Sequence, residues 1–125
     1  EMGGLAQKMP LTATLCLLGA MILSAIPPLS GFQAEWILFT GVFTQGTTSL
    51  PYLVIAVVGI FATFLTSVYT FWPAIRIFFG PLSPAMEKVK EAPLVMTIPL
   101  CVVAVLSILI GIFPDVIMRM LTSIF

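Results

Sequence analysis

Histidine is absent from this 125-residue chain, and cysteine occurs only twice, at Cys16 and Cys101, each in the middle of an apolar run. Neither cysteine has a second ligand at metal-site spacing, so no zinc, haem or iron–sulfur centre is expected, and no cofactor is expected in the chain. Two small buried hydrophobes is the reading their surroundings suggest. Charge is almost as scarce, at 8% of residues, where an ordinary soluble domain carries roughly a quarter. No basic cluster is present, which removes nucleic acid as a natural partner. No basic segment precedes the first apolar run, so no signal peptide is expected to open the chain. Beginning at Glu1, the sequence reads as a piece of something longer, with Met2 as the alternative of an initiator.

What is there instead is apolar: 60% of residues are hydrophobic. The ten charges are Glu1, Lys8, Glu35, Arg76, Glu87, Lys88, Lys90, Glu91, Asp115 and Arg119, and between them lie three uncharged stretches, 9–34, 36–75 and 92–114. A hydrocarbon core about 30 Å thick needs roughly 20 apolar residues per helix, so these stretches supply about four crossings. Backbone groups in lipid must pair internally, which makes the crossings helical, and unbroken apolar runs exclude a barrel of alternating strands. The expected fold is an all-α integral membrane region over 1–125, with about four transmembrane helices, one of them broken by proline.

Punctuation places those helices at about 10–26, 31–45, 51–79 and 93–113. Pro10 suits a first turn. Cys16, Ala20 and Ser24 form a small-residue ridge that invites close helix packing, with a polar pathway as the alternative. Pro27-Pro28 ends the first helix, and Ser30 with Gln33 has the form of a capping box that restarts one. The second helix is too short for a full crossing, so this region is expected to dip into the membrane as a broken helix. Pro73 should kink the third helix, and Pro99 should bend the fourth slightly. Glu87–Glu91 reads as a charged, solvent-facing loop, and 116–125 as an interfacial extension. Four crossings put both termini on one side and that loop on the other, with a weak basic bias toward a cytoplasmic loop.

Glu35 is the sharpest feature. An acid deep in lipid survives by facing protein or water, or by taking up a proton, and desolvation favours the protonated form. Such a group can relay protons; the alternative is a headgroup-level acid at a helix start with no transport role. On the third helix Gly59, Thr63, Thr66, Ser67 and Thr70 share one face. Their hydroxyls can support a polar pathway, although a close-packing seam is the stronger reading. Arg76 reads as a snorkelling anchor rather than a counter-ion for Glu35, and Trp36, Tyr52, Tyr69 and Trp72 as interfacial or packing aromatics.

Several motifs together resemble the C-terminal end of the antiporter-like subunits of respiratory complex I, membrane-bound hydrogenases, F420-type dehydrogenases and multisubunit cation/proton antiporters. They are Gly3-Gly4-Leu5 with Lys8-Met9-Pro10, Ile26-Pro27-Pro28-Leu29-Ser30-Gly31-Phe32 leading to Glu35, Ser67-Val68-Tyr69 before Arg76, Phe79-Gly80, and Gly111-Ile112-Phe113-Pro114. The Gly-Phe-x-x-Glu form is most similar to the M-type (chain 4) subunit of complex I. The resemblance implies the last four helices of a subunit with about fourteen, including a discontinuous helix whose acid, here Glu35, ends a hydrated charged axis. It also implies no chemical active site in this chain, a prokaryotic cell membrane, other membrane subunits as partners, and protons, or sodium with them, as the transported ion. Two alternatives differ in class: a small four-helix proton-coupled drug exporter, whose acid would lie in the first helix, and a structural subunit in which Glu35 is silent.

Overall fold

A computed structural model of the chain describes residues 3–124; Glu1, Met2 and Phe125, with the initiator reading of Met2, lie outside the described residues. Five α-helices follow one another: α1 (Pro10–Leu23), α2 (Ser30–Gly46), α3 (Leu50–Phe78), α4 (Leu94–Ile112) and α5 (Pro114–Ile124). α3 and α4 are long and apolar enough to cross a membrane, whereas α1 is apolar but shorter.

The first helix stops at Leu23, before the prolines and short of the expected Ile26. Ile26 precedes Pro27 and is therefore held out of helical geometry. The chain closes the helix three residues earlier: Ala25 adopts a left-handed φ of 51°, its N–H bonds to the Ile22 carbonyl at 3.2 Å, and the Ile26 N–H reaches back to Met21 at 3.1 Å. This is a Schellman closure with alanine where glycine is usual, at a cost of about 1–2 kcal/mol. Pro27–Pro28 is a cis peptide, and helicity resumes at Ser30.

The capping box does not form, since no side chain caps α2. Ser30 Oγ instead pairs with Ser107 Oγ, and Gln33 Nε2 donates to the Gly111 carbonyl at 3.3 Å. Both residues are spent on α4, because the break brings α4 within reach of the first turn.

α1 and α2 lie end to end along α3, antiparallel to it. Ser24, at the end of α1, hydrogen-bonds Thr70 at 2.9 Å, while a Cβ on Gly59 would meet the ring of Phe39 on α2 at 2.8 Å. The 29 residues of α3, about 44 Å of helix, thus back both halves of the broken element. α1 and α2 also pack on α4. The end-to-end arrangement corrects the expected topology: the N-terminal segment and the loop before α4 share one end of the molecule. Gly3 and Gly4 lie against Pro81 and Leu82, and Leu5, Ala13 and Phe78 form a small core flanked by Met86 and Val89. Four successive crossings would have put these segments at opposite ends.

Buried positions are mostly small or hydroxylic: Ala13, Ala20, Ser24, Ala56, Ala74, Thr97, Ser107 and Gly111. The large apolar side chains face outward, with Val95 82% and Phe61 63% exposed. That inversion is expected where the surroundings are as apolar as leucine and helices associate through close backbone approach. Cys16 is exposed and Cys101 half-buried, a correction to the expected burial of both, since those helix faces also look outward. The tail from Pro114 is a helix in its own right, α5, with Asp115, Arg119, Thr122 and Ser123 on one face.

Glu91 departs from the solvent-facing reading of its loop. Its carboxylate accepts the N–H groups of Leu11 at 3.0 Å and Thr12 at 3.1 Å and the Thr12 hydroxyl. It thereby caps α1, whose own N-cap residue, Met9, supplies no side-chain acceptor. The Thr12 hydroxyl, and after it the backbone amides of Leu11, Thr12 and Ala92, hold the Glu91 carboxyl below its ordinary range despite an opposing effect of desolvation. A depressed folded-state pKa contributes stability that is fully present above the unfolded-state value and is lost as pH falls through the folded-state value. Glu91→Ala is therefore expected to lower the detergent-solubilised Tm by a few degrees at neutral pH. The difference from wild type should vanish on acidification below the carboxylate range, which circular-dichroism melts across pH check.

Candidate functional site

The break between α1 and α2 is held by contacts too close for any side chain. A Cβ on Gly111 would come within 1.9 Å of the Pro28 carbonyl oxygen, and one on Gly31 within 1.9 Å of the Ile22 carbonyl oxygen. α4 therefore presses its backbone directly onto the break, and the start of α2 lies directly against the end of α1. Leu29, 3% exposed, plugs the junction. Hydroxyl pairs flank it on both sides, Ser24 with Thr70 on α3 and Ser30 with Ser107 on α4.

Glu35 projects from α2 just past this junction, five residues after the helix begins. Along α3 it lies between two contact levels, Ser24 with Thr70 and Phe39 with Gly59. Thr63, Thr66 and Ser67 lie in the same interval, near the middle of α3. The acid is half-buried, and among the described residues none hydrogen-bonds its carboxylate. It lines a groove of about 600 Å³ whose walls include Phe32, Trp36, Phe39, Phe43 and Ile60, with Thr40, Thr44 and Thr47 continuing a polar edge along α2. The groove is open on one side, so the carboxylate is not enclosed by this chain alone. The rings of Phe32 and Trp36 lie one turn apart in a tilted contact, with centroids 5.9 Å from each other.

The α3 hydroxyls bond mainly within their own helix. Thr63 donates to Gly59, Thr66 to Ala62, Ser67 to Thr63 and Thr70 to Thr66. Among the described residues, only Thr70 of these also hydrogen-bonds a side chain of another helix, Ser24. Their donors are occupied and their second lone pairs remain, a pattern that fits a packing seam and leaves acceptors for water. Arg76 lies over the ring of Trp72 at 5.6 Å, a cation–π contact that suits an anchor near the loop end of α3.

Sequence reasoning missed two groups here. Ser107 and the Gly111 carbonyl meet α2 across 77 and 78 residues of chain, beyond any local motif. The signal available was the pairing of two punctuated motifs, Pro-Pro-Leu-Ser-Gly-Phe and Gly-Ile-Phe-Pro, which the fold brings into contact.

Residues 1–72 match the family described as NADH:quinone oxidoreductase/Mrp antiporter, TM. F(420)H(2) dehydrogenase subunit M of Methanosarcina mazei is 31% identical over 98% of this chain and 24% of its own length. Hydrogenase-4 component B of Escherichia coli K12 is 35% identical over 89% of this chain and 17% of its own. Na(+)/H(+) antiporter subunit A1 of Staphylococcus aureus is 28% identical over 93% and 15%. The chain thus spans a quarter or less of the curated relatives it matches.

Because the site depends on backbone approach at the break, Gly111→Ala and Gly31→Ala should each destabilise the solubilised protein by about 1–3 kcal/mol through overpacking. Gly19→Ala and Gly41→Ala, where a Cβ meets nothing within 4 Å, should be neutral or slightly stabilising. Thermal melts of the four variants check this contrast.

Proposed function

The chain belongs to the NADH:quinone oxidoreductase/Mrp antiporter transmembrane family and is an integral membrane protein, and on that footing we propose that it helps to move protons, or cations in exchange for protons, within a multisubunit redox-driven or antiporter complex. It supplies a longer subunit with one crossing made of α1, the break and α2, and with two further crossings, α3 and α4. α5 lies at the membrane surface with its polar face toward water. Lys8, Arg76, Lys88 and Lys90 gather at the shared loop end and Arg119 at the other, so the loop end faces the cytoplasm.

Glu35 is the proton-relay acid in this reading. The observation that carries it is position: an ionisable group immediately past a helix break, level with the middle of the 29-residue α3. Intramembrane acids are costly unless they face a polar path, and broken helices place binding groups near the midplane. In the longer subunit the open groove beside Glu35 is covered by further helices, which complete its burial. Hydroxyls of Thr63, Thr66, Ser67 and Thr70 offer acceptors to a water chain at that level. The redox chemistry belongs to other subunits, and no cofactor is assigned to this chain. Family membership sets aside the drug-exporter alternative, while a silent, structural Glu35 remains the competing outcome of the test.

Glu35→Gln keeps size and hydrogen bonding but cannot ionise. In sealed vesicles containing the assembled complex it should cut coupled proton translocation at least about tenfold while leaving assembly intact, and Glu35→Asp should keep part of the activity. Wild-type pumping by Glu35→Gln would make the acid structural.

A further inference from the structure

α2 packs along both α3 and α4, yet none of its residues is fully buried, so polar ties at its first turn bear on how it is rotated about its axis. Among the described residues, its first turn makes two polar side-chain contacts with another helix, and both go to α4. Ser30 Oγ meets Ser107 Oγ, and Gln33 Nε2 donates to the Gly111 carbonyl. Ser30 and Gln33, three residues apart, share one face of α2, and Ser107 and Gly111, four apart, share one face of α4. Ser107 is only 6% exposed, so its hydroxyl has no ready exchange with solvent.

Glu35 lies two residues beyond Gln33, which at about 100° per residue puts it on the far side of α2 from this contact. A clamp on one face of a helix fixes what the opposite face presents. Turning α2 about its axis to escape the clamp would swing the carboxylate out of its place beside the groove. We infer that Ser107 is a positioning residue for Glu35, acting through Ser30, with the Gly111 carbonyl and Gln33 as the second point of the same clamp. The inference rests on the relay reading of Glu35. It adds that an α4 side chain with no part in carrying protons sets the geometry of the acid.

The test uses Ser107→Ala, Ser30→Ala and the double variant in the full assembled complex, with proton translocation in sealed vesicles measured across pH and normalised to assembled protein. Each single variant should lose about three- to tenfold in rate, the scale of one buried hydrogen bond, and should displace the pH profile of translocation, which a loss of assembly alone would not do. The double variant should be no worse than either single one, because both remove the same contact. A wild-type rate and profile in Ser107→Ala, or losses that multiply in the double variant, would overturn the inference. If Ser107→Ala behaves as wild type while Glu35→Gln is inactive, only the positioning role falls. If Glu35→Gln itself pumps as wild type, the relay reading falls and the positioning role with it.

Discussion

The contact on which this structure depends is the one between the Gly111 backbone and the Pro28 carbonyl. One helix approaches there at a distance only glycine permits, and its partner is not a helix but the turn segment that interrupts one. Lipid offers no hydrogen bonds to an interrupted backbone, so the interruption has to be covered by protein. α4 provides the cover with a face of Ser107 and Gly111. The Ser24–Thr70 pair ties the other side of the interruption to α3. With the break fixed between two long helices, α2 starts at one place and in one direction, and Glu35 follows from that start.

Apolar surroundings also make the rest of the chain look inverted. Large side chains gain little from burial when the surroundings are hydrocarbon, so alanine, serine, threonine and glycine fill the interior and leucine, valine and phenylalanine face outward. Among the described residues the exceptions are Leu29 at the junction and the loop end, where Leu5 and Phe78 are buried together with Met86 and Val89 packed against them. In the proposed placement that end meets water, where an ordinary apolar core becomes favourable again. Glu91 belongs to the same end: its carboxylate accepts from amides in the first turn of α1 that have no partner within the helix.

Much of this was legible in the sequence. Charge scarcity and proline punctuation place a break after the first helix and Glu35 just beyond it, and the resemblance carried by the Pro-Pro-Leu-Ser-Gly-Phe run agrees with the family match. Contacts between distant residues were not legible. Ser30 and Gln33 have the spacing of a local cap, yet both bond to α4, because the same side chains satisfy either geometry and only the fold decides. Ala25 in a left-handed conformation leaves no signal, since alanine is the best of helix formers. The direction of α2 decided the topology: a break between two short helices reads equally as a reversal or a continuation, and the contacts of Gly59 and Thr70 with opposite halves select continuation.

In the proposed role, Glu35 exchanges a proton as the complex works. Infrared difference spectroscopy of the assembled complex in membranes, resting against energised, reads this directly through the carboxyl C=O stretch. A relay acid at Glu35 should give a carboxyl band that changes on energisation and is missing in Glu35→Gln. A spectrum with no carboxyl change attributable to Glu35, in a complex that pumps, would contradict it.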